Sequence, residues 1–208
     1  MSTPLERAVE VMDRLRSPGG CPWDAAQTHE SLTRYLLEET YEVLEAIETG
    51  NLALLREELG DLLLQVLFHA RLTQELPAGE AFGIDDVAGD LVVKLRRRNP
   101  HVFDPGHAGV STGSASGDAE AINEQWERIK AEEKQRSAVM EGVPEELPAL
   151  LRAVKAMERL DRAGRTLALD PTSTDLGDRL LALASEARAA GVDPEQALRA
   201  AVRRALPS

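Results

Sequence analysis

The chain has 208 residues, with 24 Lys+Arg against 36 Asp+Glu and a formal charge of −12. At 43% hydrophobic and 29% charged residues it reads as globular rather than disordered, and the negative balance argues against gripping a long nucleic-acid backbone, which needs Lys and Arg on phosphates. A single cysteine, Cys21, excludes an intramolecular disulfide.

Aromatic residues make up only 3% of a chain rich in Leu, Ala, Glu and Arg, so an all-α fold is expected. Helical periodicity covers residues 4–16 and stops at Ser17-Pro18-Gly19-Gly20. After Cys21-Pro22-Trp23-Asp24 it resumes over 31–48, ending at Gly50, then over 52–74 and over 84–98, ending at Asn99-Pro100. Residues 104–118 are rich in Gly and Ser and read as a mobile loop. A polar helix over 119–136 follows, then shorter helices over 145–163, 175–190 and 194–205. No apolar run approaches the roughly 20 residues of a membrane span, and the first residues carry no basic stretch before an apolar core. A cytoplasmic protein without membrane contact is expected.

Charge divides the chain. Residues 1–147 hold 14 Lys+Arg against 28 Asp+Glu, whereas 148–208 hold 10 against 8, with Pro144 and Pro148 at the boundary. The expectation is therefore a domain over 1–147 and a separate helical segment over 148–208. At an offset of 117, Glu58-Leu59-Gly60-Asp61 recurs as Asp175-Leu176-Gly177-Asp178, followed by matching Leu, Ala and Arg positions. If this repeat is real, the second copy lacks what precedes its Asp-Leu-Gly-Asp.

The chemistry concentrates in the helices over 31–48 and 52–74. Residues three or four apart share a helix face, so Glu39 and Glu42 form one carboxylate pair and Glu58 and Asp61 another. A short turn at Gly50 makes the helices antiparallel neighbours. Glu42 and Glu58 lie eight residues either side of Gly50, and Glu39 and Asp61 eleven, so the pairs are level. Leu59 through Phe68 is apolar around most of its circumference, the sign of a buried helix. Buried carboxylates need a partner, and Mg²⁺ or Mn²⁺ accepts such oxygen ligands with room for water and phosphate. The alternative is a solvated acidic stripe. A di-iron site is disfavoured, because none of His29, His69, His101 or His107 has a Glu three residues earlier.

Lys94, Arg97 and Arg98 close the helix over 84–98, where they suit either the helix dipole or a phosphate chain. In Cys21-Pro22-Trp23-Asp24 the Asp can cap the next segment, with Gln27 completing a capping box, and Trp23 can fill a core gap or wall a nucleobase.

These motifs together resemble the MazG family of nucleoside triphosphate pyrophosphohydrolases. The resemblance rests on Cys21-Pro22-Trp23-Asp24 with Gln27-Thr28, on Leu37-Glu38-Glu39-Thr40-Tyr41-Glu42, and on Glu58-Leu59-Gly60-Asp61-Leu62-Leu63. Lys94 to Arg98 with Pro100-His101-Val102-Phe103, and Trp126-Glu127-Arg128-Ile129-Lys130-Ala131-Glu132-Glu133, extend it over roughly residues 5–165. It implies a four-helix bundle completed by dimerisation, as a homodimer or homotetramer, and Mg²⁺-dependent hydrolysis of nucleoside triphosphates to monophosphate and pyrophosphate. By position, Glu39, Glu42, Glu58 and Asp61 match metal ligands and Glu38 a water-orienting carboxylate. Lys94 and Arg98, with Arg97 behind them, match phosphate-binding positions. The segment over 148–208 then reads as a degenerate, inactive second copy, without a Glu-Glu-x-x-Glu helix. The rival readings are a non-catalytic interaction protein and a dUTP- or phosphoribosyl-ATP-specific relative.

Overall fold

Thr3 opens the first helix by accepting from the Glu6 N–H at 3.2 Å, while the Glu6 carboxylate accepts from the Thr3 N–H at 2.6 Å. This computed structural model describes residues 2–104, 117–134 and 138–206. Within them the helices are α1 (Pro4–Arg16), α2 (Pro22–Ala26), α3 (His29–Thr49), α4 (Leu52–Thr73), α5 (Ile84–Arg98), α6 (Pro100–Phe103), α7 (Gly117–Lys134), α8 (Ala149–Arg162), α9 (Leu176–Ala189) and α10 (Pro194–Ala205). No strand occurs among the described residues, and the protein is all-α as expected. No described helix is long and apolar enough to cross a membrane.

The chain falls into two compact units, Met1–Ile122 and Asn123–Ser208, which divide inside α7. Most of the 104–118 stretch expected to be a loop lies outside the described residues, and its last two positions open α7.

In the first unit α3 and α4 form an antiparallel hairpin. Gly50 takes the left-handed conformation at φ 68°, which lets the Asn51 N–H turn back to the Ala46 carbonyl at 3.0 Å. Asn51 then caps α4, its Oδ1 accepting from the Leu54 N–H at 3.1 Å. One helix ends and the next begins within two residues, which leaves no slack in the register. Met12, Leu32, Leu67, Phe68 and Leu72 make the core, with Ala8, Val9, Leu15, Tyr35 and Ile84 packed around it. The core therefore joins α1, α3, the second half of α4 and the start of α5.

Two expectations need correction. The Leu59–Phe68 run is buried on one side only, since Leu59, Leu63, Leu64 and Val66 are 37–49% exposed. A single chain offers too few helices to cover that circumference. Nor does Asp24 start a capping box. It lies inside α2, and α3 begins two residues earlier than expected, where Thr28 and Ser31 cap each other reciprocally.

In the second unit α8, α9 and α10 pack together around Met157 and Ala184. The Arg162 guanidinium pairs with Glu127 at 2.9 Å and that of Arg188 with Asp161 at 2.8 Å. The Asp175-Leu-Gly-Asp178 run opens α9, where Asp175 accepts from the Asp178 N–H at 3.1 Å. Its first-unit counterpart lies well inside α4, so the two runs occupy different places in their helices.

Candidate active site

The hairpin register brings the two carboxylate pairs together. Oxygens of Glu39, Glu58 and Asp61 all lie within 4.8 Å of one another, and the Glu42 carboxyl is near enough to raise both the Glu39 and the Glu58 carboxyl. Glu58 is 8% exposed, and its carboxyl is held above the ordinary value by burial first, then by the charges of Glu42 and Asp61. Glu39 is raised in the same way, by burial first and then by Asp61 and Glu42.

Among the described residues no Lys or Arg pairs with these four acids. The donor set is all oxygen and partly buried, without a cation among the described residues to balance it. That is the chemistry of a hard divalent-cation site, and Glu39, Glu58 and Asp61 have the spacing to hold such an ion.

The other residues singled out from the sequence are not members of this carboxylate group. Glu38 precedes Glu39 on α3 and is exposed. Lys94 and Arg97 are exposed near the end of α5, Arg98 is only 8% exposed, and no ion pair joins Lys94 to the acids. Trp23 is 51% exposed, with its ring edge-on to Tyr35 at 5.8 Å and to Phe68 at 6.5 Å. It thus serves packing on one side and faces solvent on the other.

Arg16 fixes the Trp23 helix. Its side chain is 7% exposed and forks onto Glu75 at 2.7 and 3.0 Å. It also donates to the Asp24 carbonyl and lies 5.9 Å from the centre of the Phe68 ring.

Sequence reasoning missed the continuation of the polar stripe beyond Asp61. Gln65 is 5% exposed and its Oε1 is buried without a hydrogen-bond partner. His69 stacks on His29 at 5.0 Å, with their Nδ1 atoms 2.7 Å apart, while its Nε2 is buried and unpaired. Burial first, then His29, holds the His69 ring below its ordinary value. The signal was available: the i+4 spacing that places Asp61 also places Gln65 and His69.

Comparison with known proteins gives a consistent result. Residues 27–103 match the MazG nucleotide pyrophosphohydrolase domain. An uncharacterized 26.1 kDa protein from the blaB 3′ region of Streptomyces cacaoi is 52% identical over 194 residues, covering 93% of this chain and 76% of that one. The nucleoside triphosphate pyrophosphohydrolase/pyrophosphatase MazG of Thermotoga maritima is 40% identical over 223 residues, covering 96% and 82%. The nucleoside triphosphate pyrophosphohydrolase of Mycobacterium tuberculosis is 45% identical over 198 residues, 95% of this chain but 54% of that protein. The chain thus spans little more than half of the mycobacterial relative.

Proposed function

The chain belongs to the MazG family of nucleotide pyrophosphohydrolases, hydrolases of phosphoanhydride bonds, and on that premise we propose that residues 1–147 hydrolyse nucleoside triphosphates to monophosphate and pyrophosphate. The observation that carries this reading is the convergence of Glu39, Glu58 and Asp61 across the α3/α4 hairpin, with the Glu42 charge acting on Glu39 and Glu58.

These four acids hold Mg²⁺, for which Mn²⁺ substitutes. The ion when bound neutralises the triphosphate and makes water a stronger acid. Glu38 orients the attacking water and takes its proton. Lys94 and Arg98, with Arg97 beside them, hold the outer phosphates as charge moves onto the departing pyrophosphate. The open face of Trp23 walls the base. Because Glu39 and Glu58 sit above the ordinary carboxylate value, acidification that protonates them weakens cation binding.

Residues 148–208 are a degenerate second copy without a metal site, Asp175 and Asp178 serving the start of α9. A second copy of the chain, in a homodimer or homotetramer, covers the exposed apolar sides of α4 and α5, where Leu91, Val92 and Val93 are also 47–62% exposed. The protein works in the cytoplasm on nucleotides, and its charge of −12 suits this better than binding long nucleic acid.

Hydrolysis in ¹⁸O-labelled water tests the reading. Attack at the α-phosphorus puts the label in the monophosphate. Label in pyrophosphate or orthophosphate overturns the proposed attack, and absence of triphosphate turnover overturns the activity itself.

A further inference from the structure

We propose that the exposed leucine face of α9 is a contact between two copies of this chain, in which α9 pairs antiparallel with α9 of the second copy about a two-fold axis beside Leu183. The contact belongs to the second unit and is additional to the covering of α4 and α5.

Helical spacing builds the face. Leu176, Leu180 and Leu183 follow one another at intervals of four and three residues, with Ala187 one turn on, so they form one stripe along α9. The three leucines are 47–64% exposed, whereas Ala184 on the neighbouring side is 1% exposed in the core of the unit. An apolar stripe along most of a helix is a surface for association. At the offset of 117 these positions align with Leu59, Leu63 and Val66 of α4, which are exposed as well, and Ala184 aligns with the buried Leu67. Both helices thus turn the same face outward.

Charge decides what covers it. Arg179 and Glu186 border the stripe on one side, two turns apart. Both are exposed, and neither has an ion-pair partner among the described residues. At the matching positions α4 carries Leu62 and His69, of which His69 stacks on His29 of α3. The opposite charges are thus a feature of α9 alone. In a parallel pair the two-fold axis runs along the helices and sends the charged edges to opposite sides of the seam. In an antiparallel pair it crosses the seam, and both charged edges fall on the same side. Centring the axis between Ala182 and Leu183 sets Arg179 of each copy level with Glu186 of the other, so two ion pairs close one edge and fix the register. Leu183 then meets its own copy, Leu180 lies between Leu183 and Ala187 of the second copy, and Leu176 meets Ala187, so that large side chains face small ones. A seam of about 21 Å is short beside a standard interface. It therefore fits a second contact between copies already joined elsewhere, where effective concentration is high, and in that respect it rests on the association through α4 and α5.

Single-cysteine variants of the full chain test this. In a Cys21→Ser background, Leu183→Cys places a thiol beside the axis, and Leu176→Cys places one about 20 Å along the seam from its own copy. A short bismaleimide is expected to link the Leu183→Cys chain into a covalent dimer and to leave the Leu176→Cys chain unlinked. Adding Arg179→Glu or Glu186→Arg should lower the linking several-fold, and adding both should restore it, because the swapped charges pair again. Circular dichroism checks that each variant keeps its helices, and a monofunctional maleimide checks that each thiol is reachable. Linking at both positions, linking indifferent to either charge reversal, or no rescue by the double swap overturns the proposal. So does a thiol at position 183 that is not linked, whether it reacts freely, which leaves the face uncovered, or is protected, which means another segment of the same chain covers it. Sedimentation equilibrium separates the two associations. A dimer or tetramer without linking at position 183 overturns the α9 contact alone, and a monomer without linking overturns the association through α4 and α5 as well.

Discussion

Glu39→Gln removes one charge from the crowded acids while keeping the side chain's shape. A Glu39 oxygen lies within 4.8 Å of those of Glu58 and Asp61. At that separation a pair of unit charges repels by about 1 kcal/mol in water and about 3 kcal/mol at an effective dielectric constant of about 20. The Glu39 carboxyl is raised above its ordinary value of 4.5 by burial and by Asp61 and Glu42. A raised carboxyl binds more protons folded than unfolded, so its contribution to stability is greatest below the unfolded value and is lost as pH rises through the folded one. The chelated wild type should therefore lose stability from about pH 4.5 toward neutrality, and the variant should escape part of that loss. At pH 7 the variant is expected to be more stable by roughly 1–3 kcal/mol, or roughly 2–12 °C in midpoint for a chain of this size. A divalent cation reverses the order, because ligation stabilises the folded wild type by mass action. Loss of a residue that only orients a ligand costs 10–100-fold in metal affinity, so loss of a ligand should cost more than about 100-fold. Thermal unfolding of both proteins at several pH values, in chelator and in Mn²⁺, reads all of this. A variant less stable than wild type in chelator at pH 7, or equally stabilised by Mn²⁺, would refute the reasoning.

Two further predictions address the supports around the site. Arg16→Met keeps the buried stem but loses the fork to Glu75 and the bond to the Asp24 carbonyl. It should cost about 2 kcal/mol by urea unfolding, in the range for hydrogen bonds to charged groups, and loosen Trp23, seen as a red shift of its fluorescence. An unchanged midpoint would show that the fork contributes nothing. Asp175→Ala removes the cap of α9 and should cost about 1 kcal/mol while kcat stays at the wild-type value. A large fall in kcat with the oligomer intact would place chemistry in the second unit.

The long helices were legible because their signals are local. Thr3 with Glu6, Gly50 with Asn51, and Asn99 before Pro100 mark ends that need no tertiary information. The convergence of Glu39, Glu58 and Asp61 was legible for a related reason, since a two-residue connection fixes the register by counting. The short helices α2 and α6 were not, because four or five residues carry no periodicity and Pro at the first position suits a turn equally well. Arg16 was invisible for a different reason. Its partner Glu75 lies 59 residues away, and nothing in its neighbours along the chain distinguishes it from Arg14. Gln65 and His69 were within reach of the same i+4 counting, but a single polar residue in an apolar run reads as a solvent-facing position until its burial is seen.

The four acids all come from one uninterrupted hairpin, between Glu39 and Asp61, closed by a single glycine turn. A centre of this kind is a module: it passes whole into a copy of the gene or is lost whole with either helix, because neither arm alone supplies more than half of it. It also lends itself to transplantation. Any helical scaffold that accepts the hairpin at the Gly50 register receives the centre complete, and the host needs to supply only what packs behind it.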